Sequence, residues 1–137
     1  MKIFTPFEVL SREALDYALE RTRQNMIGLA SFPERCENGR WISVDNGGWV
    51  GGHWVGLLWL AFAATQDPAF EKSARLWATR LAPRRVDMTT HDLGFLFNLS
   101  HVLGYELTGD ESLKALALMG PLNSGCLVMS GTFCPFM

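Results

Sequence analysis

Residues Trp59 to Phe70 read W-L-A-F-A-A-T-Q-D-P-A-F, and residues Phe97 to Leu113 read F-N-L-S-H-V-L-G-Y-E-L-T-G-D-E-S-L. Both stretches share one design: an apolar helical segment, a T-x-D turn, then a second amphipathic helix. The two turn aspartates, Asp67 and Asp110, lie 43 residues apart. A period of about 40 residues with two helices per unit predicts stacked helical hairpins, either a solenoid or a closed α/α toroid. Such units bury their faces only against neighbours, so about two and a half of them leave open hairpin edges. The expected fold class is all-α.

Working outward, Asp67 is an N-cap followed by Pro68 at the first helical position, and Phe70, Ala74, Trp77 and Leu81 form an apolar stripe. Upstream, D-N-G-G-W-V-G-G-H-W-V-G-L-L-W-L-A-F-A-A predicts a turn at Asn46-Gly47 and a helix from about Gly51 to Thr65. Gly48, Gly52 and Gly56 are four apart, on one face of any continuous helix. Glycine costs about 1 kcal/mol per interior helical position relative to Ala, so close approach of another helix or of a ligand has to compensate. Packing is the favoured reading. The first helix starts near Thr5, where Thr5 and Glu8 fit a capping box and Pro6 the first turn, with Ser11 as a second possible start. Its stripe is Leu10, Ala14, Ala18, Thr22 and Met26, flanked by Leu15, Leu19 and Leu29, and Gly28 is its expected end. Ser31 to Asp45 reads as a loop, and so does the charged Pro83 to Asp87 stretch. A fourth helix is expected from about Asp92 to Tyr105 and a fifth, capped by Asp110, to about Met119, ended by Gly120-Pro121.

At 137 residues the chain bounds one domain with a single core. Hydrophobic residues at 48% and charged ones at 19% exclude a disordered chain. A formal net charge of −2 with scattered Lys and Arg gives no basic footprint for nucleic acid. Trp49 to Ala64 is short for a membrane span of about 20 residues and reads as a packed core helix. The N-terminus M-K-I-F-T-P-F-E lacks the apolar run of a signal peptide, so the expected location is cytoplasmic. Cys36, Cys126 and Cys134 have neither metal-ligand spacing nor a secreted framework, and an odd count suits a reducing compartment. His53 and His101 have no H-E-x-x-H or C-x-x-C context, so no metal site is expected. Residues 120–137 carry no charge and no helical period; we expect an atypical tail after a domain of residues 1–119, from truncation or a change of reading frame near Leu118.

Chemistry is expected first at Thr89 to Phe97, T-T-H-D-L-G-F-L-F, which sets His91 and Asp92 directly before an apolar run. Asp92 has two readings. It is either an N-cap accepting the amides of Gly94 or Phe95, or a functional carboxylate. At a helix N-terminus its charged form is favoured, which suits charge stabilisation better than proton donation. Trp54, Trp59, Trp77 and the Phe95, Phe97, Leu99 cluster read as core, whereas Trp49 stands at the loop side of its helix.

Taken together, W-V-G-G-H-W-V-G-L-L-W-L-A-F, T-Q-D-P-A-F, T-H-D-L-G-F-L-F and L-T-G-D resemble the N-terminal part of unsaturated glucuronyl hydrolases, glycoside hydrolase family 88. A related branch acts on unsaturated rhamnogalacturonan fragments. The resemblance spans about Asn46 to Lys114. It implies the first part of an (α/α)6 barrel of six helical hairpins, with no metal or organic cofactor. The implied substrate is an oligosaccharide with a 4,5-unsaturated uronic acid at its non-reducing end. In such enzymes a carboxyl group protonates C4 of the vinyl ether, positive charge develops at C5, water adds there, and the hemiketal opens to release the neighbouring sugar. Asp92 matches the first of two family aspartates, His91 a substrate-site histidine, and Trp49 an aromatic lining the sugar site. The second aspartate, the principal acid/base, matches nothing in Gly120 to Met137, so little or no turnover is expected of this chain alone. The alternative from another class is a non-catalytic helical module that binds sugar or protein, or self-associates, through its open hairpin edge.

Overall fold

The structure is a computed structural model that describes residues 5–123, without the side chains of Pro6 and residues 119–123. The expectations placed on residues 124–137, including Cys126 and Cys134, lie outside that range.

Helix α1 spans Pro6–Gly28 and opens with the expected capping box, Thr5 and Glu8 each accepting from the other's backbone amide. Ser11 instead returns its hydroxyl to the carbonyl of Phe7 inside the helix. Only the C-terminal half of α1 packs. Leu19, Met26 and Leu29 lean on the core and Thr22 is buried, but Leu10 and Leu15 are exposed, contrary to the stripe read from sequence.

The expected loop at 31–45 is instead a hairpin: β1 (Phe32–Glu37) pairs antiparallel with β2 (Arg40–Val44). Asn38 and Gly39 connect the strands at φ 48 and 75, the two positive values a tight hairpin turn demands. Phe32 anchors it, fully buried and edge-on to Trp77 at 4.7 Å, with the Arg80 guanidinium over both rings.

Helices α2 (Gly51–Thr65) and α3 (Pro68–Leu81) form the first helical hairpin with the boundaries read from sequence. A 3-10 turn at Ala82–Val86 replaces part of the expected charged loop. The next helix is one continuous run in three pieces: α4 (Leu93–Phe97), a π turn over Asn98–Val102, and α5 (Leu103–Thr108). Helix α6 covers Glu111–Asn123 and so runs past Gly120-Pro121. A proline there falls in the last turn, where little helix remains to lose.

The T-x-D repeat holds atom for atom. Thr65 and Thr108 each donate to the carbonyl four residues back, at 2.7 Å, and accept from the Asp67 and Asp110 amides. Each aspartate then caps the next helix, from Ala69 N and from Ser112 N, both at 2.9 Å. The middle residue of each turn, Gln66 or Gly109, is left-handed. Each aspartate also holds an arginine from an earlier helix, Arg23 of α1 on Asp67 at 2.9 Å and Arg75 of α3 on Asp110 at 2.5 Å. The Ser112 hydroxyl, then Arg75 and the Ser112 amide, hold the Asp110 carboxyl down to about 2.

Two glycines decide how the hairpins pack. A Cβ on Gly52 would meet the backbone of α4, at 2.6 Å from the Leu96 carbonyl oxygen and 2.7 Å from its Cα. Gly56 faces Leu99 at 3.2 Å. Helix approach, not a ligand, therefore accounts for both, as favoured from sequence. Gly48 does not share their helix; it sits in the preceding turn at φ 50. Further along α2, the buried Trp59 indole donates to the Ser100 carbonyl at 2.7 Å, inside the π turn. Ser100 donates to Leu96 O, so its hydroxyl accepts from Nδ1–H of His101, 2.7 Å away. That fixes His101 as the neutral Nδ1–H tautomer, with Nε2 buried and unpartnered. Burial pushes its pKa down to about 4.

Candidate active site

The apolar run after Asp92 cannot all face one core, because successive helical residues are about 100° apart. Leu93, Leu96 and Phe97 turn inward, and Phe95 is left 52% exposed. The expectation that Phe95 belongs to the core is therefore corrected. Its ring joins an exposed aromatic group with Trp49, at 6.4 Å edge-on, and His53, at 6.2 Å and nearly parallel. Trp49 and His53 themselves lie 6.5 Å apart, and His53 Nδ1 is 3.2 Å from Val50 O. Gly52 makes this meeting possible by letting α4 press on the first turn of α2.

Asp92 occupies the N-cap position of α4, but its side chain makes no cap hydrogen bond. The backbone carbonyl does that work, accepting from Phe95 N at 3.0 Å. The Asp92 amide donates to the Thr90 hydroxyl at 3.1 Å, and that hydroxyl lies 3.3 Å from Oδ2. The simple N-cap reading is thereby excluded, and the carboxylate is free of the helix amides while still next to them. It is half-buried, with 24% of the side chain exposed, whereas His91 beside it is 96% exposed. Nε2 of His91 stands 3.5 Å from Asp92 Oδ1, an ion-pair distance only when the imidazole is protonated.

Trp49 thus reaches α4 through Phe95, three residues after Asp92, and His91 stands beside Asp92. His53 and Phe95 escaped the sequence reading; the available signal was spacing, four residues after Trp49 and three after Asp92. On its other side Trp49 borders a cavity of about 470 Å³ between α1, the β-hairpin and α2, walled by Trp41, His53 and Trp54 with Arg21 and Glu34.

No family model matches the chain. Among curated proteins it is 30% identical over 124 residues to the unsaturated chondroitin disaccharide hydrolase of Streptococcus pneumoniae, covering 84% of this chain and 31% of that protein. It is 30% identical over 112 residues to the unsaturated glucuronyl hydrolase of Bacillus sp. strain GL1, covering 78% of the chain and 30% of the relative. The crystal structure of that Bacillus enzyme superposes with a TM-score of 0.78 at 28% identity over 82% of this chain and 31% of that one. Over these spans the chain is similar to unsaturated glucuronyl hydrolases. The Streptococcus agalactiae unsaturated glucuronyl hydrolase also matches, with a TM-score of 0.78 at 27% identity over 90% of this chain and 32% of its own. An Asp-to-Asn variant of such a hydrolase, solved with dGlcA-Glc-Rha-Glc, matches with a TM-score of 0.75 at 28% identity over 80% of this chain and 30% of its own. The chain therefore spans about a third of the length of the hydrolases it matches. The resemblance read from sequence is borne out, and so is the fold class, since those unsaturated glucuronyl hydrolases are helical barrels. Among the described residues, no helix is long and apolar enough to cross a membrane.

Proposed function

We propose that this chain forms part of the sugar site of an unsaturated glucuronyl hydrolase. The substrate class is an oligosaccharide ending in a 4,5-unsaturated uronic acid, and the reaction is hydration of the vinyl ether. Trp49 stacks on the unsaturated ring, with Phe95 and His53 holding its indole in place. His91, exposed at the rim, donates a hydrogen bond to the sugar. Asp92 supplies negative charge as the positive charge develops at C5 and orients the water that adds there.

The observation that carries this reading is the Asp92 carboxylate at the start of α4, which meets the Thr90 hydroxyl and His91 and not the helix amides. A purely structural N-cap would bond the helix amides, and this one does not. The relatives' names and the bound unsaturated oligosaccharide of one neighbour support the substrate class. Proton delivery to C4 needs a second carboxyl group; Glu34, which lines the cavity beside Trp49, is paired with Arg35 and does not match the family's principal acid/base aspartate. The chain alone is therefore expected to turn over substrate poorly, since losing one member of a catalytic unit costs orders of magnitude in rate. The test follows absorbance of the conjugated double bond of an unsaturated chondroitin disaccharide mixed with the chain. A decay near the rate of a full-length relative contradicts the assignment of Asp92 as half of a pair.

A further inference from the structure

Trp49 and Asp92 sit on separate loops, one before α2 and one before α4, and neither loop is held by regular secondary structure. One side chain spans the gap. Arg84 in the 3-10 turn donates from Nη1 to the carbonyls of Asn46 and Gly48, both at 2.9 Å, and from Nε to Asp87 Oδ2 at 2.7 Å. Gly48 immediately precedes Trp49. On the other side, Asp87 Oδ1 accepts from the Thr89 amide at 2.8 Å and the Thr89 hydroxyl at 2.6 Å, and Thr90 follows with its contacts to Asp92. The Arg84–Asp87 pair is the most enclosed ion pair among the described residues, with 14% and 19% of the two side chains exposed. Charge-assisted bonds in such a setting are short and directional, and a guanidinium is rigid enough to fix several acceptors in one geometry.

We infer that Arg84 is a positioning residue, which sets the spacing between the Trp49 platform and the Asp92 carboxylate by bracing their loops through Asp87. The inference rests on the proposed sugar site for its functional meaning, though the brace itself does not. Arg84 touches neither Trp49 nor Asp92, so it acts only through the loops it ties.

The experiment uses the full chain, ¹⁵N-labelled, with an unsaturated chondroitin disaccharide as probe and Trp49→Phe to assign the Trp49 indole resonance. Asp87→Asn and Arg84→Gln are expected to move that indole resonance in the free chain, while the Trp59 indole, bonded to Ser100, stays in place. Both variants weaken disaccharide binding about tenfold, the scale of one lost charged hydrogen bond. Arg84→Lys restores Tm but not affinity, because an ammonium cannot match the fork that spans three acceptors. An unmoved Trp49 indole in Asp87→Asn overturns the brace. So does a lowered Tm with unchanged affinity, the result for a merely structural arginine. A wild-type chain that binds no disaccharide defeats the sugar-site reading, and the Trp49 resonance alone then decides for or against the brace.

Discussion

Gly52→Ala probes the contact that seats the Asp92 helix. The added methyl would lie 2.6 Å from Leu96 O and 2.7 Å from Leu96 Cα, and closer still to Phe95 O. All three are backbone atoms, so no rotamer change relieves the overlap. An ordinary contact of about 3.5 Å requires α4 to retreat from α2 by more than about 1 Å, a distance set by the Phe95 oxygen. Overpacking of this kind costs up to about 3 kcal/mol. Against it, Ala gains about 1 kcal/mol over Gly in a helix, leaving a net loss of about 2 kcal/mol. Urea unfolding followed by far-ultraviolet circular dichroism reads this as a midpoint lowered by about 1 M for a slope of 1–3 kcal/mol per M. Gly94→Ala supplies the control, because nothing lies within 4 Å of the added atom. That variant should gain up to about 1 kcal/mol from helix propensity. If Gly52→Ala proves as stable as the parent, α4 does not pack on α2 through that glycine and the seating of Asp92 is wrong.

Other consequences are equally concrete. His101 has its pKa lowered from 6.5 to about 4, so the unfolded chain binds the proton first and stability falls as pH drops from 6.5 towards 4. From those two values the loss is about 2 kcal/mol at pH 5, and His101→Gln should flatten this part of the denaturation profile. Trp59→Phe strips the buried Ser100 carbonyl of its indole donor and should cost about 2 kcal/mol or more by chemical denaturation. Trp54→Phe, whose indole nitrogen has no partner, should cost clearly less; equal losses would mean that the Trp59 bond contributes nothing.

What the sequence revealed follows from the range of the forces involved. Capping boxes and T-x-D turns are local: Thr5, Asp67 and Asp110 satisfy amides within three residues, and their helices begin where the residues say. The 43-residue repeat was visible for the same reason. The β-hairpin was not, although Asn38-Gly39 is a strong turn signal. Phe32 is its one fully buried residue, and F-P-E-R-C-E with R-W-I-S-V lacks the alternation that a two-sided strand would show. Phe95 looked like core because an apolar residue in an apolar run carries no mark of direction; only the packing of α4 on Gly52 turns it outward. The π turn has no breaker residue to announce it, and it depends on Trp59, 41 residues away. Asp92 caps α4 through its carbonyl, bonded to Phe95 N, and not through its carboxylate, a distinction that residue type alone does not carry.

The central claim is that Trp49 and Asp92 belong to one site for an unsaturated uronic acid. Isothermal titration of the chain with an unsaturated chondroitin disaccharide, beside its saturated counterpart, tests it most directly. The account predicts saturable one-to-one binding that favours the unsaturated sugar, is lost in Trp49→Ala and survives in Asp92→Asn, which keeps the shape and removes the charge. Undiminished binding by Trp49→Ala, or no discrimination between the two sugars, would contradict it.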